Sequence, residues 1–409
     1  MARYDAAWVS GLVLLLLAGI GGCDVRGMPS AGGAGRPAGP VTVYVANEAG
    51  NTVTPIRAAS TSAGRPIKVG PAPALIAISP DGQTAYVVGV GSLLPDAAAP
   101  VTLTAIRTAT NRPGRVITVY APENLGGSIA PDAIAITPDS RTVYVSCRGT
   151  VVPVRAGADT ASEPIRVSSA GALAMADQGR TVYVANPGGD TITPISTATQ
   201  EPGPPIVVGP SPDAMAVTPD GRTVLVLTST GVTGVTPVDA VTNRAGRPVA
   251  IQGAYALAVA PGGGTAYVLA MPDPNSQQGF VVPVHIRAGT AGTPIKVGLN
   301  PVQIAFTPDG TMAYVANYAS QSVTPIRLAD GRAGPAIAAG KIPTGLAVSP
   351  DSTTVYVLDS NVFGGLGPGM PLNTPPFAPG QVIPIHVATN SAGKPIKVGR
   401  LPVAIAIAP

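Results

Sequence analysis

The chain has 409 residues, of which 45% are hydrophobic, and its 50 glycines and 46 prolines together exceed a fifth of the total. So many apolar residues exclude a disordered low-complexity chain, and short strands joined by frequent turns suit both proportions. Charged residues are only 11%, with a formal net charge of +4 and no run of lysine or arginine. A nucleic-acid-binding protein normally shows a clustered basic footprint, so no nucleic acid partner is expected.

Residues 1–22 have the parts of a secretory signal peptide. Arg3 is followed by an apolar segment from Ala6 to Ile20 and then by two glycines before Cys23. An apolar stretch of about 15 residues is short for a bilayer, which takes about 20 residues to span comfortably. The sequence therefore predicts export.

The four residues that end at Cys23, Ile-Gly-Gly-Cys, resemble the bacterial lipobox. The resemblance implies a lipoprotein whose Cys23 is acylated and becomes the new N-terminus, anchored to the cell membrane at the bacterial surface or in the periplasm. Two or more acyl chains anchor a protein stably, whereas one chain holds only marginally. A plain signal peptide with an incidental cysteine and an uncleaved anchor are the alternatives. Residues 23–40 are rich in glycine, alanine and proline, a composition that predicts a flexible tether.

From residue 41 onward the sequence repeats one unit of roughly 42 residues, a period typical of propeller blades. Each unit holds four short predicted strands, named A to D here: for example Gln303–Phe306 (A), Met312–Asn317 (B), Ser322–Ile326 (C) and Pro294–Gly298 (D). Strand B is predicted eight times: Thr42–Asn47, Thr84–Gly89, Thr142–Cys147, Thr181–Asn186, Thr223–Thr228, Thr265–Ala270, Thr311–Asn317 and Thr354–Asp359.

The order of the strands at the two chain ends predicts a closed ring. The repeats begin at a strand B and finish at a strand A, Val403 to Ala408. A ring lets its two ends complete one sheet, whereas a linear solenoid needs capping repeats. We therefore predict an all-β fold over residues 41–409, a β-propeller of eight four-stranded antiparallel blades, with seven blades as the alternative.

Only two of the four connections in the unit vary in length. The insertions run from Gly89 to Pro100, Ala270 to Gly279 and Asp359 to Gly380 between strands B and C, and from Tyr120 to Ala130 between D and A. In an up-and-down blade these two kinds of connection lie at the same end. The insertions are thus predicted to crowd one face of the disc, which becomes the candidate binding surface.

Several copies of strand B, with the sequence Tyr-Val-Ala-Asn at residues 44–47, 183–186 and 314–317, resemble the YVTN-type β-propeller repeat of bacterial surface and periplasmic proteins. The resemblance covers about residues 41–409. It implies a propeller, an exported location and no shared catalytic residues. Proteins of this type usually have seven blades, so the eight units counted here are a departure from the pattern.

A few residues that could carry chemistry have a simpler structural explanation. His285 and His386 share one position after strand C, two blades apart, and are expected to face solvent rather than to bind one metal. The aspartates of the Pro-Asp-Gly sequences, such as Asp81 and Asp309, are expected to cap hairpin turns. Cys147 is expected to be a small, semi-buried residue. Phosphate loops, nucleophile elbows, metal-spaced Cys/His clusters and haem motifs are all missing from the sequence, so no catalytic residue, metal or cofactor is predicted.

The candidate ligand-binding residues lie in the insertions: Asp96, Glu123, Asn361, Phe363 and Phe377. The longest insertion is apolar for a surface loop and could anchor a partner or pack on itself over the central channel. With Asp132, Asp273 and Asp359, the two acids named are the evident carboxylates on that face.

These observations favour a monomeric, membrane-tethered propeller that binds an envelope protein, peptidoglycan or a small ligand without catalysis. The alternative is an exported propeller enzyme, a lactonase-like hydrolase or a cofactor-assisted oxidoreductase, with its site at the channel mouth. A purely structural envelope protein is a third possibility. Polar groups with perturbed pKa values at the channel mouth would favour the enzyme.

Overall fold

The repeat folds as the alternation of its apolar residues predicts, into small antiparallel sheets. The computed structural model describes residues 41–90, 100–120, 131–147, 149–158, 160–231, 233–360 and 378–409. The described residues form 37 short strands and three 3-10 turns, at Glu48–Gly50, Ala58–Ser60 and Asp177–Gly179. None of the described helical turns is long and apolar enough to cross a membrane.

The strands form eight sheets, each with strand A innermost and strand D outermost, and D is often split into two pieces. The first four blades contain β1 (Thr42–Asn47), β2 (Thr52–Arg57), β3 (Ser62–Ala63) and β4 (Ile67–Lys68); β5 (Pro73–Ile78), β6 (Thr84–Gly89), β7 (Val101–Arg107) and β8 (Arg112–Tyr120); β9 (Ala133–Ile136), β10 (Thr142–Cys147), β11 (Thr150–Arg155) and β12 (Ile165–Arg166); β13 (Leu173–Ala176), β14 (Thr181–Asn186), β15 (Thr191–Ser196) and β16 (Ile206–Val207).

The remaining four blades follow the same plan. They contain β17 (Pro212–Val217), β18 (Thr223–Thr228), β19 (Gly234–Asp239), β20 (Arg244–Ala245) and β21 (Val249–Ala250); β22 (Ala254–Val259), β23 (Thr265–Ala270), β24 (Gln278–His285), β25 (Thr290–Ala291) and β26 (Ile295–Leu299); β27 (Pro301–Phe306), β28 (Met312–Asn317), β29 (Ser322–Arg327), β30 (Arg332–Ala333) and β31 (Ile337–Ala338); β32 (Pro343–Val348), β33 (Thr354–Asp359), β34 (Pro379–His386), β35 (Ser391–Ala392) and β36 (Ile396–Arg400). The last strand is β37 (Pro402–Ala408).

The two ends of the described chain meet in blade 1. Strand β37 supplies its inner strand and pairs antiparallel with β1, for example Val45 opposite Ile405. The eight-bladed ring predicted from the repeat count is therefore confirmed, and the seven-bladed alternative is wrong.

Antiparallel pairing throughout each blade fixes two distinct faces of the disc. The short-turn face carries the A–B and C–D turns, and the long-loop face carries the B–C and D–A connections. The described strand ends on either side of the four predicted insertions lie at the long-loop face.

The proline in the middle of strand C explains why strand D is broken. Pro55 has no N–H to donate to an outer neighbour, and β3 and β4 pair with β2 on either side of it. Its carbonyl still accepts a hydrogen bond from Gly64 N at 2.7 Å. Blade 2 has Ala105 at this position, and there the outer strand β8 continues unbroken for nine residues.

No blade has a core of its own, because the strand B side chains point alternately to the two neighbouring blades. Val43 and Val45 pack with residues of blade 8, such as Tyr356. Tyr44, between them in sequence, packs with residues of blade 2, such as Ile76. Strand B is buried over its whole length in blade 1. The hydrophobic stabilisation of each sheet thus comes from its neighbours.

A tyrosine hydroxyl joins neighbouring blades near the short-turn face. Tyr44 donates to Asn111 Oδ1 at 2.7 Å, and Asn111 lies in the C–D turn of the next blade. The pairs Tyr183–Asn243, at 2.5 Å, and Tyr314–Asn390, at 2.8 Å, repeat this contact. Each of the three asparagines has a left-handed backbone with φ between 49° and 57°, a conformation that asparagine tolerates better than most residues.

An asparagine at the end of strand B joins neighbouring blades near the long-loop face. Asn47 Nδ2 donates to Thr54 Oγ1 at 2.9 Å within its own blade. Its Oδ1 accepts from Gly399 N of blade 8 at 3.0 Å. Only glycine fits there, because a Cβ on Gly399 would lie 2.5 Å from Asn47 Cγ.

Substitution of Tyr183 by phenylalanine tests the tyrosine contact. The change removes a buried hydrogen bond and leaves Asn243 Oδ1 without that donor, so we expect the free energy of unfolding to fall by about 1 kcal/mol. Tyr267 occupies the same position in blade 6, and its hydroxyl makes no hydrogen bond to any described residue, so Tyr267→Phe is the matched control. Denaturant titration of both variants gives the comparison, and equal losses would contradict the proposed inter-blade bond.

Gly399→Ala tests the second contact. The added methyl group would overlap the Asn47 side chain, so we expect a loss of about 1–3 kcal/mol in unfolding free energy, as for other overpacked sites. The control is Gly262→Ala, since a Cβ at Gly262 meets no atom within 4 Å. Thermal unfolding followed by circular dichroism measures both variants. An unchanged melting temperature for Gly399→Ala would show that the seam adapts freely.

Candidate functional site

The inner strands surround the axis of the ring and pair on one side only, so their second edge faces the channel. Their partly exposed residues are mostly small and apolar, such as Ala135, Ala258 and Ala305. Gln303 is an exception: its Oε1 accepts from Leu346 N of the next inner strand at 2.6 Å. The wall of the channel therefore has few polar side chains, and the polar groups lie at its mouth.

Six inner strands begin at the long-loop face with a one-residue bulge. The register shifts by one residue there, so one side chain of each strand is left outside the ladder and redirected. These bulge residues are Ala74, Asp213, Tyr255, Val302, Thr344 and Val403. Val302 and Val403 are buried, and the other four bulge residues are at least partly exposed at the loop-side mouth of the channel.

We call the residue that follows strand B the post-strand residue, and in blades 5 and 8 it hydrogen-bonds to the bulge residue of the same blade. In blade 5, Ser229 Oγ donates a hydrogen bond to the carboxylate of Asp213. In blade 8, the hydroxyls of Ser360 and Thr344 are 2.5 Å apart, and Ser360 Oγ also donates to Pro402 O at 2.8 Å. Each such pair places two polar groups beside the axis.

Glu48 is the post-strand residue of blade 1 and is half-buried. Its N–H donates to Leu401 O at 2.9 Å, which holds it against the start of the inner strand β37. No described residue pairs with its carboxylate. Burial therefore raises the pKa of Glu48 to about 7, because removing the charged form from water is costly. A carboxyl group in this state can gain or lose a proton near neutral pH.

Tyr255, the bulge residue of blade 6, donates its hydroxyl hydrogen to Pro301 O of blade 7. Burial raises the pKa of its phenol, so the ring stays neutral. Tyr318, the post-strand residue of blade 7, is half-buried, and burial raises its pKa as well. The mouth thus combines two aromatic rings, hydroxyls and the carboxyls of Glu48 and Asp213.

The five ligand-binding residues predicted from the insertions lie outside the described residues, as does the predicted lipidation site: Asp96, Glu123, Asn361, Phe363, Phe377 and Cys23. Among the other acids considered on this face, Asp273 is exposed and its Oδ1 accepts from Asn275 N at 3.0 Å. Asp132 precedes the inner strand of blade 3, and its N–H donates to Ser146 O at 3.0 Å.

Asp359, one of the acids expected on the long-loop face, lies at that end of strand B but is buried there. Its side chain is only 1% exposed. It accepts from Ile342 N at 2.8 Å, from Lys341 N at 3.2 Å and from Gln381 Nε2 at 2.9 Å. Asp359 occupies the strand B position that asparagine holds in blade 1, and it joins blades 7 and 8 in the same way. It is a structural residue.

The two histidines, the turn aspartates and Cys147 were all expected to have structural roles. Both histidines are exposed at the ends of their C strands, as predicted. The turn aspartates cap their hairpins: Asp309 Oδ1 accepts from Thr307 Oγ1 at 2.5 Å and from Thr311 N at 3.0 Å, and the threonine bond is the main cause of its lowered pKa. Cys147 is fully buried rather than semi-buried, and burial raises its thiol pKa to about 12. A thiol with that pKa is not a nucleophile at neutral pH.

Metal binding finds no support in the described part of the chain, where no three His, Cys, Asp or Glu side chains come together. A groove of about 530 Å³ lies on the short-turn face between blades 5 and 6, lined by Asp220, Asp239, Arg244 and Arg287 among others. Both aspartates already accept hydrogen bonds within their own turns. This leaves the loop-side mouth as the better candidate site.

Glu48 and Asp213 were not predicted as site residues, because both lie outside the long insertions. Asp213 follows the first proline of strand A, in the same sequence context as Asp132, so the repeat alignment could have identified it. Glu48 directly follows a strand B in a connection of normal length. No feature of the local sequence indicates that Glu48 is buried.

Comparison with known proteins supports the fold. No family model and no curated protein matches the chain. Among solved structures, dihydro-heme d1 dehydrogenase NirN is similar with a TM-score of 0.68 and 14% identity, over 93% of this chain and 78% of that one. AztD from Citrobacter koseri has a TM-score of 0.62 and 14% identity, over 91% and 98% of the two chains. A candidate 6-phosphogluconolactonase from Bacteroides fragilis has a TM-score of 0.54 and 15% identity, over 74% and 95%. At these identities the likeness establishes a bacterial β-propeller fold alone.

The raised pKa of Glu48 predicts how stability depends on pH. The unfolded carboxyl ionises near its ordinary value of about 4.3, while the folded one keeps its proton to about pH 7. The stabilisation is fully present below about pH 4.3 and is lost as the pH rises through about 7, by up to about 3 kcal/mol. Glu48→Gln should remove this component. Denaturant titrations between pH 4 and 8 measure it, with Asp273→Asn as a control on an exposed acid, and a Glu48→Gln curve parallel to the wild type would contradict the assignment.

Proposed function

We propose that the chain is an exported, lipid-anchored propeller that binds a small ligand or an envelope partner at the loop-side mouth of its channel. The observation that carries the proposal is the ring of bulge and post-strand residues. It gathers carboxyls, hydroxyls and aromatic rings on the face that also bears all the long connections. Bulges commonly redirect side chains beside functional sites, and pockets combine apolar walls with a few polar groups.

The lipid anchor rests on the sequence alone. The apolar leader and the lipobox-like residues ending at Cys23 support it, and so does the YVTN-type character of the strand B repeats, whose relatives are exported. Acylation at Cys23 would hold the protein outside the cytoplasm. Mass spectrometry of the protein from a bacterial membrane fraction, compared with a Cys23→Ala variant, would detect the lipid.

Glu48 favours a second candidate, an exported propeller enzyme. A half-buried carboxyl with a pKa of about 7 is poised for general acid–base work at neutral pH. Two of the structural neighbours carry enzyme names, a dehydrogenase and a candidate lactonase. The perturbed pKa of Glu48 and the neighbours with enzyme names support the enzyme at least as well as they support binding without catalysis.

Native mass spectrometry of residues 41–409, with an absorption spectrum, separates the two candidates. For a binding protein we expect either the bare chain mass or a colourless bound molecule. A bound chromophore would instead support the oxidoreductase alternative. Any bound mass should be lost or reduced in a Glu48→Gln, Asp213→Asn double variant, because the variant removes both mouth carboxylates. It should persist in an Asp220→Asn, Asp239→Asn control altered at the opposite groove. Equal retention in both variants would place the ligand elsewhere.

A further inference from the structure

The chain enters and leaves the ring at the short-turn face. Strand β1 runs from this face toward the long-loop face, so Val41, which precedes it, lies on the short-turn side. Val41 O accepts a hydrogen bond from Ala58 N, in a C–D turn, at 3.0 Å. The other end of the chain is close by, since a Cβ on Gly82, in an A–B turn, would lie 2.7 Å from Pro409 Cγ. Any anchor attached through residues 23–40 therefore pulls on the short-turn face.

The length of chain between Cys23 and Val41 limits how far that face can stand from the anchor. Seventeen residues separate the two positions. Fully extended, a segment of this length reaches at most about 60 Å, and a flexible one has a mean reach of roughly 23 Å. With Cys23 in a lipid leaflet, the short-turn face is held near the membrane surface.

One repeat position supplies four arginines to the short-turn face. This position is the last residue of strand C, and in the eight blades it is occupied by Arg57, Arg107, Arg155, Ser196, Asp239, His285, Arg327 and His386. All four arginines are exposed. Three of them lie in the adjacent blades 1 to 3 and the fourth lies in blade 7, so they occupy one side of the outer part of the disc, where a flat surface could meet several at once.

The exposed carboxylates beside these arginine positions, Glu201, Asp239 and Asp330, belong to blades 4, 5 and 7. Arg327 is paired with Asp330 at 3.2 Å, but Arg57, Arg107 and Arg155 make no ion pair with any described residue. The aspartates of the A–B hairpins lie nearer the axis, and each is held inside its own turn. The outer part of the short-turn face over blades 1 to 3 consequently carries unpaired arginines that are available to an anionic surface.

We propose that the short-turn face docks on the anionic lipid headgroups of the membrane that holds the anchor, with the long-loop face pointing away from it. The inference rests on the proposed lipid anchoring, because the tether decides which face meets the membrane. Arginines close to an anionic bilayer each attract it, and a second attractive contact strengthens a lipid anchor. The channel mouth is then open to ligands or partners.

Vesicle binding by residues 41–409 tests the docking surface without the lipid. This segment contains every described strand, including the closing pair β1–β37, so it folds as a complete ring. We expect it to co-sediment with vesicles of phosphatidylcholine containing about one third phosphatidylglycerol, at roughly 0.1 M salt, but not with phosphatidylcholine alone. Changing Arg57, Arg107 and Arg155 to glutamine should lower the partition coefficient at least about tenfold.

The matched control changes Lys68, Lys296 and Lys397 to glutamine. These exposed lysines lie on the outer strands toward the long-loop face, opposite residues such as Thr52, and their loss alters the net charge equally. An equal loss of binding in both variants would show a non-specific charge effect and overturn the proposal. Absence of binding to the anionic vesicles would also overturn it. Failure to find a lipid on Cys23 would instead overturn the anchor, and the vesicle result would stand independently.

A probe measurement covers the case in which the arginine variant is unstable. An environment-sensitive fluorophore is attached at Ser60→Cys, on the short-turn face, or at Ser276→Cys, on the long-loop face; the native Cys147 is buried and should not react. Anionic vesicles should shift the emission of the first probe only. A shift at the second probe alone would show that the opposite face meets the membrane.

Discussion

The structure depends on one constraint: strand B is buried on both of its faces, and a single four-stranded sheet can cover neither. Val43 and Val45 need blade 8, while Tyr44 needs blade 2. No blade is therefore a stable unit, and a row of blades would leave apolar faces at its two ends. Closing the row into a ring through β1 and β37 removes both exposed ends with one antiparallel pair.

The contacts that seal neighbouring blades also explain which parts of the repeat can vary. On the short-turn side, Tyr44 reaches an asparagine whose left-handed conformation belongs to a C–D turn of fixed length. Lengthening such a turn would move the acceptor away. On the long-loop side, the Asn47–Gly399 contact is made by strand ends, so the connections beyond them are free to grow. Variation in the length of the connections is therefore confined to one face by the packing.

Much of this architecture could be predicted from the sequence, because the predicted strands recur at a regular spacing along the chain. Seven of the eight B strands have the predicted bounds, and β28 begins one residue later, at Met312. The closure followed from the order of strands at the chain ends. The inter-blade bonds did not, since Tyr44 and Asn111 are 67 residues apart and each looks like an ordinary repeat residue. Burial of Asp359 also escaped prediction, because two of its donors, Lys341 N and Ile342 N, lie in the connection between β31 and β32, and the third, Gln381 Nε2, lies in β34.

The candidate site illustrates why function is harder to predict than fold in a repeat protein. The ring is eightfold in its backbone, but the mouth residues break that symmetry: Glu48 lies in blade 1, Asp213 in blade 5 and Tyr255 in blade 6. Repetition identifies what the blades share, which is packing, whereas a binding site is built from what they do not share. A ligand that used the shared backbone would meet eight equivalent positions. A ligand that contacts these three side chains would meet them in one arrangement only. A site built in this way favours one orientation of an asymmetric partner.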